Sequence, residues 1–517
     1  MQRFNRVCLI AFSTFALLLA TAAFAAVKPH GLFTDNAVLQ QGQKVPVWGA
    51  ADDGEKVTVK FCGQVVSTVA KGGKWKVWLK PLKAGGPFTM TICGKNCVEL
   101  KNVLVGEVWI CSGQSNMQWN VRSSADAEKV IAQCKDPMVR LITIPRGGKD
   151  EPQSDLPVAQ TPVSWQECAP ETLPEFSAVG YFFGKHLRAA LEVPVGLISS
   201  NVGGTPAEAW TKRAVLEKEF PEVFTRHAAA IKDFPQTLER YNKAIADLRK
   251  AHKEIPQTMK RVPDNPVTSS KRPCGLYNAM IAPILPYAIK GAIWYQGESN
   301  SGRAFEYRKL FPAMIKCWRD DWKQGDFPFL FVQLAPFMKI ETEPKESGWA
   351  ELREAQLFTA LHVPKTAQAV ITDVGEENDV HPKQKDPVGA RLALAARAVA
   401  YGEKIEFSGP AYASLKVEGN KAVLSFTHLG GGLVAKDGAL KGFAIAGADK
   451  KFVNAQAEIQ GDKIVVCSDK VSKPVAVRYG WANFPVVNLW NKAGLPASPF
   501  RTDDWPGVTW PKPAEKK

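Results

Sequence analysis

The rhythm of the chain changes near Lys101, and that change limits the folds open to it. From Val27 to about Leu100, short apolar runs alternate with period two, as in Val57-Thr58-Val59-Lys60-Phe61 and Trp75-Lys76-Val77-Trp78-Leu79. Asp53-Gly54, Gly72-Gly73 and Gly85-Gly86-Pro87 interrupt them as turns, which predicts a small antiparallel sandwich. Beyond Lys101, single apolar strands are each followed by a helical pattern, the signature of a sheet with crossover helices on its faces. Strands are expected at 103–111, 195–200, 291–295, 329–334 and 367–372, and helices at about 179–191, 305–322, 351–361 and 388–401. A stretch at about 213–261, rich in Lys, Glu and Ala at helical spacing, reads as a helical hairpin on the outside. Alternation returns from about 405 to 480, as in Lys421-Ala422-Val423-Leu424-Ser425-Phe426. The expected order is therefore a β-sandwich-like unit over 26–102, an α/β catalytic domain over 103–404 and a β-rich unit over 405–480. Residues 481–517 are then expected to return to the catalytic domain and end in a tail.

Residues 1–25 read as a signal peptide. Arg3 and Arg6 form a basic start, an apolar run from Val7 to Ala20 follows, and Ala23-Phe24-Ala25 fits a small-x-small cleavage site. The run is too short to span a bilayer in the folded protein, and no later stretch approaches the necessary length. A secreted or periplasmic protein without a membrane span is expected. Loss of Cys8 with the signal leaves nine of ten cysteines, so at least one thiol stays free. Cys93 and Cys97 are spaced for a local bridge or are plain strand residues, and no Cys/His spacing suggests a metal site. The net charge of +15 falls to +13 without Arg3 and Arg6, but the lysines are scattered and give no nucleic-acid-binding stripe.

Gly113-Gln114-Ser115-Asn116-Met117 directly follows the first strand of the α/β region. Ser115 is thereby placed in a turn at the carboxyl end of a strand, where open α/β sheets build their sites. It is not the elbow of the α/β-hydrolases, because Met117 replaces the second glycine. A serine needs a base to take its proton. Of seven histidines, His381 lies in a polar strand-to-helix loop, Asn378-Asp379-Val380-His381-Pro382, on the same sheet edge. Donors for an oxyanion are offered by Asn201-Val202-Gly203-Gly204, after the strand at 195–200, and by Gln296 at the end of the strand at 291–295.

Taken together, these segments resemble the sialate O-acetylesterase family, a branch of the SGNH-type hydrolases. The resemblance rests on Gly106 to Met117, Gly203-Gly204-Thr205-Pro206-Ala207-Glu208-Ala209-Trp210, Trp294 to Asn300, Asp379-Val380-His381-Pro382 and Gly494 to Arg501. It implies a flavodoxin-like three-layer catalytic domain, Ser115 as nucleophile and His381 as base. It also implies an oxyanion hole from the N–H groups of Ser115 and of Gly203 or Gly204 with the Gln296 amide, and no metal or organic cofactor. The implied reaction removes O-acetyl groups from sialic acids through an acetyl-enzyme.

One position departs from the family pattern. SGNH hydrolases carry an acid three residues before the histidine, and Asn378 stands there. Asp379 is expected to orient His381, with Asp373 or Glu298 in reserve. Trp119, Trp210, Trp349 and Trp490 offer faces for a sugar, and Arg353 offers a carboxylate partner or a helix salt bridge. Two alternatives remain at this point: an esterase of acetylated xylan or another polysaccharide, and a non-catalytic carbohydrate-binding protein.

Overall fold

The computed structural model describes residues 26–157, 159 and 162–511, so the signal-peptide reading of residues 1–25 lies outside the described residues. The fold is mixed α/β, with a central mixed sheet and further antiparallel sheets on either side of it in the chain. The central sheet uses seven strands: β1 (Cys97–Gly113), β2 (Asp136–Thr143), β3 (Gln166–Cys168), β4 (Val195–Asn201), β5 (Gly291–Tyr295), β6 (Phe329–Val332) and β7 (Thr366–Ala369). Their order is β3-β2-β4-β1-β5-β6-β7. All neighbours are parallel except β3 against β2.

The strands are apolar on both faces, and alternate side chains enter two different cores. On β5, Ala292 and Trp294 join one cluster while Ile293 and Tyr295 join the other. On β6, Phe329 and Phe331 divide from Leu330 and Val332 in the same way. A strand buried on both sides needs helices above and below. Helices α2 (Ala178–Leu191) and α6 (Asp386–Tyr401) pack together over one face. Helices α4 (Ala304–Trp322) and α5 (Gly348–His362) cover the other.

The first unit is stitched to the sheet covalently. β1 has 17 residues; its first part pairs with Gly85–Cys93 in an antiparallel hairpin and its second part lies between β4 and β5. The expected boundary at 102/103 thus falls inside one unbroken strand. In the preceding β-unit, Trp75, Val77 and Leu79 point inward while Lys74, Lys76 and Trp78 point out. A disulfide joins Cys93 to Cys97 across the hairpin turn. Cys62, Cys111, Cys134, Cys168, Cys274, Cys317 and Cys467 are free thiols.

Two expectations are corrected. The stretch at 213–261, expected as a helical hairpin, is helical but consists of a short helix, Arg213–Glu219, followed by one continuous 29-residue helix, α3 (Glu222–Lys250). Pro235 sits inside α3 without ending it, and only Val223 and Ile245 of that helix are buried. The segment after 480 also does more than return to the α/β domain. Leu489–Asn491 pairs with Leu433–Ala435, and Phe500–Arg501 pairs with the strand Ala476–Tyr479, completing the last β-unit. Only then do Val508 and Thr509 donate backbone N–H groups to Glu351 on α5. Among the described residues no helix is long and apolar enough to cross a membrane.

Candidate active site

β1 ends at Gly113 with φ near +132°, and a Cβ there would come within 2.2 Å of the Tyr295 carbonyl on β5. Only glycine allows this turn. Gln114 N–H then donates to the same carbonyl at 2.9 Å, and a single helical turn, α1 (Ser115–Gln118), begins at the serine. The chain therefore presents Ser115 at the carboxyl edge of the sheet, beside the end of β5.

His381 reaches it from the loop between β7 and α6. Its Nε2 lies 2.8 Å from Ser115 Oγ. The Asp379 carboxylate accepts the His381 backbone N–H at 2.8 Å and lies 3.4 Å from Nδ1. Trp119 stacks on the imidazole at 5.1 Å with the planes inclined by 17°. Burial lowers the pKa of His381 below its ordinary value, and Asp379 acts in the opposite sense. The imidazole is accordingly neutral at pH 7, the state that accepts a proton.

The reserve acids are engaged elsewhere. Asp373 grips Arg391 with both oxygens, at 2.6 and 2.8 Å. Glu298 is held from beneath the serine by Asn116, whose Nδ2 donates at 2.7 Å to Glu298 and at 2.9 Å to the Val380 carbonyl. Burial raises the Glu298 pKa.

On the opposite side of Ser115, the Gly203–Gly204 turn leaves the end of β4. Gly203 N–H is already used, donating to Gln118 Oε1 at 2.6 Å. Gly204, at φ near +70°, and Ser115 each keep a backbone N–H without a hydrogen-bond partner among the described residues. The expected contribution of Gln296 is corrected. It shares strand parity with Trp294 and so turns toward α4, away from the serine. Its amide donates to Asn300 Oδ1 at 2.7 Å and Thr205 O at 3.3 Å, and its carbonyl accepts from Tyr307 at 3.0 Å.

Of the sugar-contact candidates only Trp119 is at the site. Trp210 is fully buried against Trp294, with its indole N–H on Thr205 Oγ1. Trp349 is buried with its N–H on Ala335 O, and Trp490 lies beneath Arg391 and Lys436. Arg353 is not a ligand contact either. It has no exposed surface and gives its donors to the carbonyls of Leu334, Ala335, Ala482 and Asn483, riveting the last β-unit to the sheet.

Lys385 escaped the sequence reading. It stands where α6 begins, is 1% exposed, and its Nζ donates to Asn116 Oδ1 at 2.6 Å. The available signal was a lysine directly before Asp386-Pro387, because a cation at a helix N-terminus opposes the helix dipole. Gln118, which holds Gly203, carried no signal beyond its position in the turn. Among the described residues no three His, Cys, Asp or Glu side chains converge as a metal-ligand group.

A donor-bearing serine, a neutral imidazole in contact with it and two unspent N–H groups suit acyl transfer. Similarity to known proteins agrees with that chemistry. Residues 105–258 and 269–398 match the family described as carbohydrate esterase, sialic acid-specific acetylesterase. The chain is 30% identical to a sialate O-acetylesterase of Homo sapiens over 509 residues, covering 89% of this chain and 90% of that one. It is 31% identical to the Mus musculus protein of the same name over 434 residues, 77% of this chain and 78% of the other. Among solved structures, a carbohydrate acetylesterase from Xanthomonas citri superposes with a TM-score of 0.80 at 39% identity, over 93% of this chain and all of that one. A family match over more than half of the chain, with relatives aligned along most of their length, makes this protein an esterase of the sialic acid-specific acetylesterase family.

Proposed function

We propose that the protein removes O-acetyl groups from sialic acids, with Ser115 as nucleophile and His381 as general base. The carrying observation is the 2.8 Å contact between His381 Nε2 and Ser115 Oγ, beside the unpaired N–H groups of Ser115 and Gly204. His381 takes the hydroxyl proton as Oγ attacks the acetyl carbonyl. The N–H groups of Ser115 and Gly204 receive the negative oxygen. Collapse expels the sugar oxygen, which His381 protonates, and leaves Ser115 acetylated. Water, deprotonated by His381, then attacks the acetyl-enzyme; acetate leaves and Ser115 regains its proton. Asp379 orients the imidazole and stabilises its cation.

The strand order β3-β2-β4-β1-β5-β6-β7, with helices on both faces, supports an SGNH-type, flavodoxin-like reading of the α/β domain. The Arg-flanked apolar start of the sequence supports export to the periplasm or cell exterior. The test is acetate release from O-acetylated sialic acids beside acetylated xylo-oligosaccharides. Preference for the sialic acids is expected. Preference for the xylo-oligosaccharides would transfer the enzyme to acetylated plant polysaccharide.

A further inference from the structure

Burying an ammonium is expensive unless a carboxylate meets it. Lys385 meets none within 4 Å among the described residues. It is also placed against the positive end of α6, a 16-residue helix. Its contacts are the Asn116 carbonyl and two aromatic faces, Trp119 at 5.8 Å and Tyr295 at 5.5 Å. Each of these touches the Ser115–His381 pair. Asn116 follows Ser115 in the chain and bonds the Val380 carbonyl directly before His381. Trp119 stacks on the imidazole. Tyr295 carries the carbonyl against which the Ser115 turn closes.

We infer that Lys385 is a positioning residue of the esterase site: it fixes Asn116 as a cross-brace between the nucleophile and the base loop, and its charge adds to the effect of burial in opposing a positive charge on His381. An amide can be turned either way round. With Lys385 on its oxygen, the Asn116 Nδ2 must face Glu298 and Val380, so one ammonium selects the orientation that ties α1 to the histidine loop. The charge acts in the same direction. The groups around His381 are Asp379 on its own loop, Ser115 and Trp119 on and after α1, and Lys385 at the start of α6; Glu298 from the turn after β5, and Asp379 and Glu376 from the histidine loop, act in turn on Lys385. Asp379 favours the imidazolium and Lys385 opposes it. Burial brings Lys385 itself down to about 7, so it is a cation over the range in which His381 would gain its proton.

The inference rests on the proposed roles of Ser115 and His381, and pH profiles of 4-nitrophenyl acetate hydrolysis test it. Lys385→Met is expected to lower kcat by about 10- to 100-fold with KM nearly constant, as loss of an orienting contact does. It should also move the acid limb of kcat/KM to higher pH, because the cation opposing His381 protonation is gone. Lys385→Gln, which still offers Asn116 a donor but no charge, is expected to recover most of kcat and keep the displaced limb. In a double-mutant cycle with Asn116→Ala, the loss in kcat should be less than the product of the two single losses. An acid limb unmoved in Lys385→Gln overturns the inference, even if Lys385→Met does not fold. So do fully multiplicative losses in the cycle. If Ser115→Ala were as active as the wild type, the site reading itself would fall, a result separate from either of these.

Discussion

The two flanks of Ser115 are built on opposite plans. On the histidine side the groups nearest the serine are tied to one another: His381 with Ser115 and Asp379, Asn116 with Lys385, Glu298 and Val380, and Trp119 laid over the ring. On the glycine side one N–H is tied to Gln118, while that of Gly204 is left unspent. Those contacts hold the proton-moving groups in one geometry before substrate arrives. Unspent donors wait for a charge that exists only during the reaction, which is where such donors contribute most to rate.

The largest test of this contrast is Ser115→Ala. It should lower kcat/KM on 4-nitrophenyl acetate by about 10⁴-fold or more, with an unchanged thermal melt; a loss of only tenfold would remove the serine from the centre of the comparison. Asp379→Asn comes next, with an expected fall of about 10²- to 10⁴-fold in kcat. Since Asp379 raises the His381 pKa, the acid limb should also move to lower pH. In the wild type, activity should decline only below pH 6.5, because the base works when neutral and burial lowers its pKa. A midpoint above 6.5 would contradict the buried imidazole. Gln296→Ala sharpens the other flank. It should cost about 1–3 kcal/mol in denaturant unfolding by stranding the buried Tyr307 hydroxyl, with kcat changed less than about threefold. A donor aimed at the oxyanion would instead cost about 10²- to 10³-fold in kcat. The smallest effect belongs to Asp373→Asn, whose carboxylate serves Arg391: the rate should not change.

The sequence was most readable where local pattern and position coincide. Ser115 and His381 both follow apolar strands in polar turns, and parallel strands carry such turns to one edge, so the two are brought together by topology alone. Gln296 follows a strand in the same way but was misjudged, because its face is set by strand parity and by what packs there; Tyr307 on α4 claims it. Arg353 misled for a related reason. Nothing in Leu352-Arg353-Glu354 announces that the last β-unit closes over this helix and offers its carbonyls. Lys385 was invisible as a site residue because its meaning lies in its partner in space, the Asn116 amide 269 positions away, taken in place of a carboxylate in direct contact. The resemblance to known esterases supplied what spacing could not, the pairing of a serine with a histidine 266 residues away.

The unbroken strand β1 has one more implication. At roughly 3.3 Å per residue, its 17 residues form a rod about 55 Å along its contour. One end is fastened in the hairpin at Cys97 and the other delivers the serine. Beyond an irregularity at Asn102, where φ is near +56°, the leading β-unit still grips the rod, Val38–Gln40 pairing with Leu104–Gly106, and a slip of one position there would turn Trp109 and Cys111 to the wrong core and aim the turn after Gly113 at the wrong layer. The leading β-unit is therefore a gauge for the active site rather than an appendage, and trimming the chain at the apparent domain boundary would cut through the rod on which Ser115 is carried.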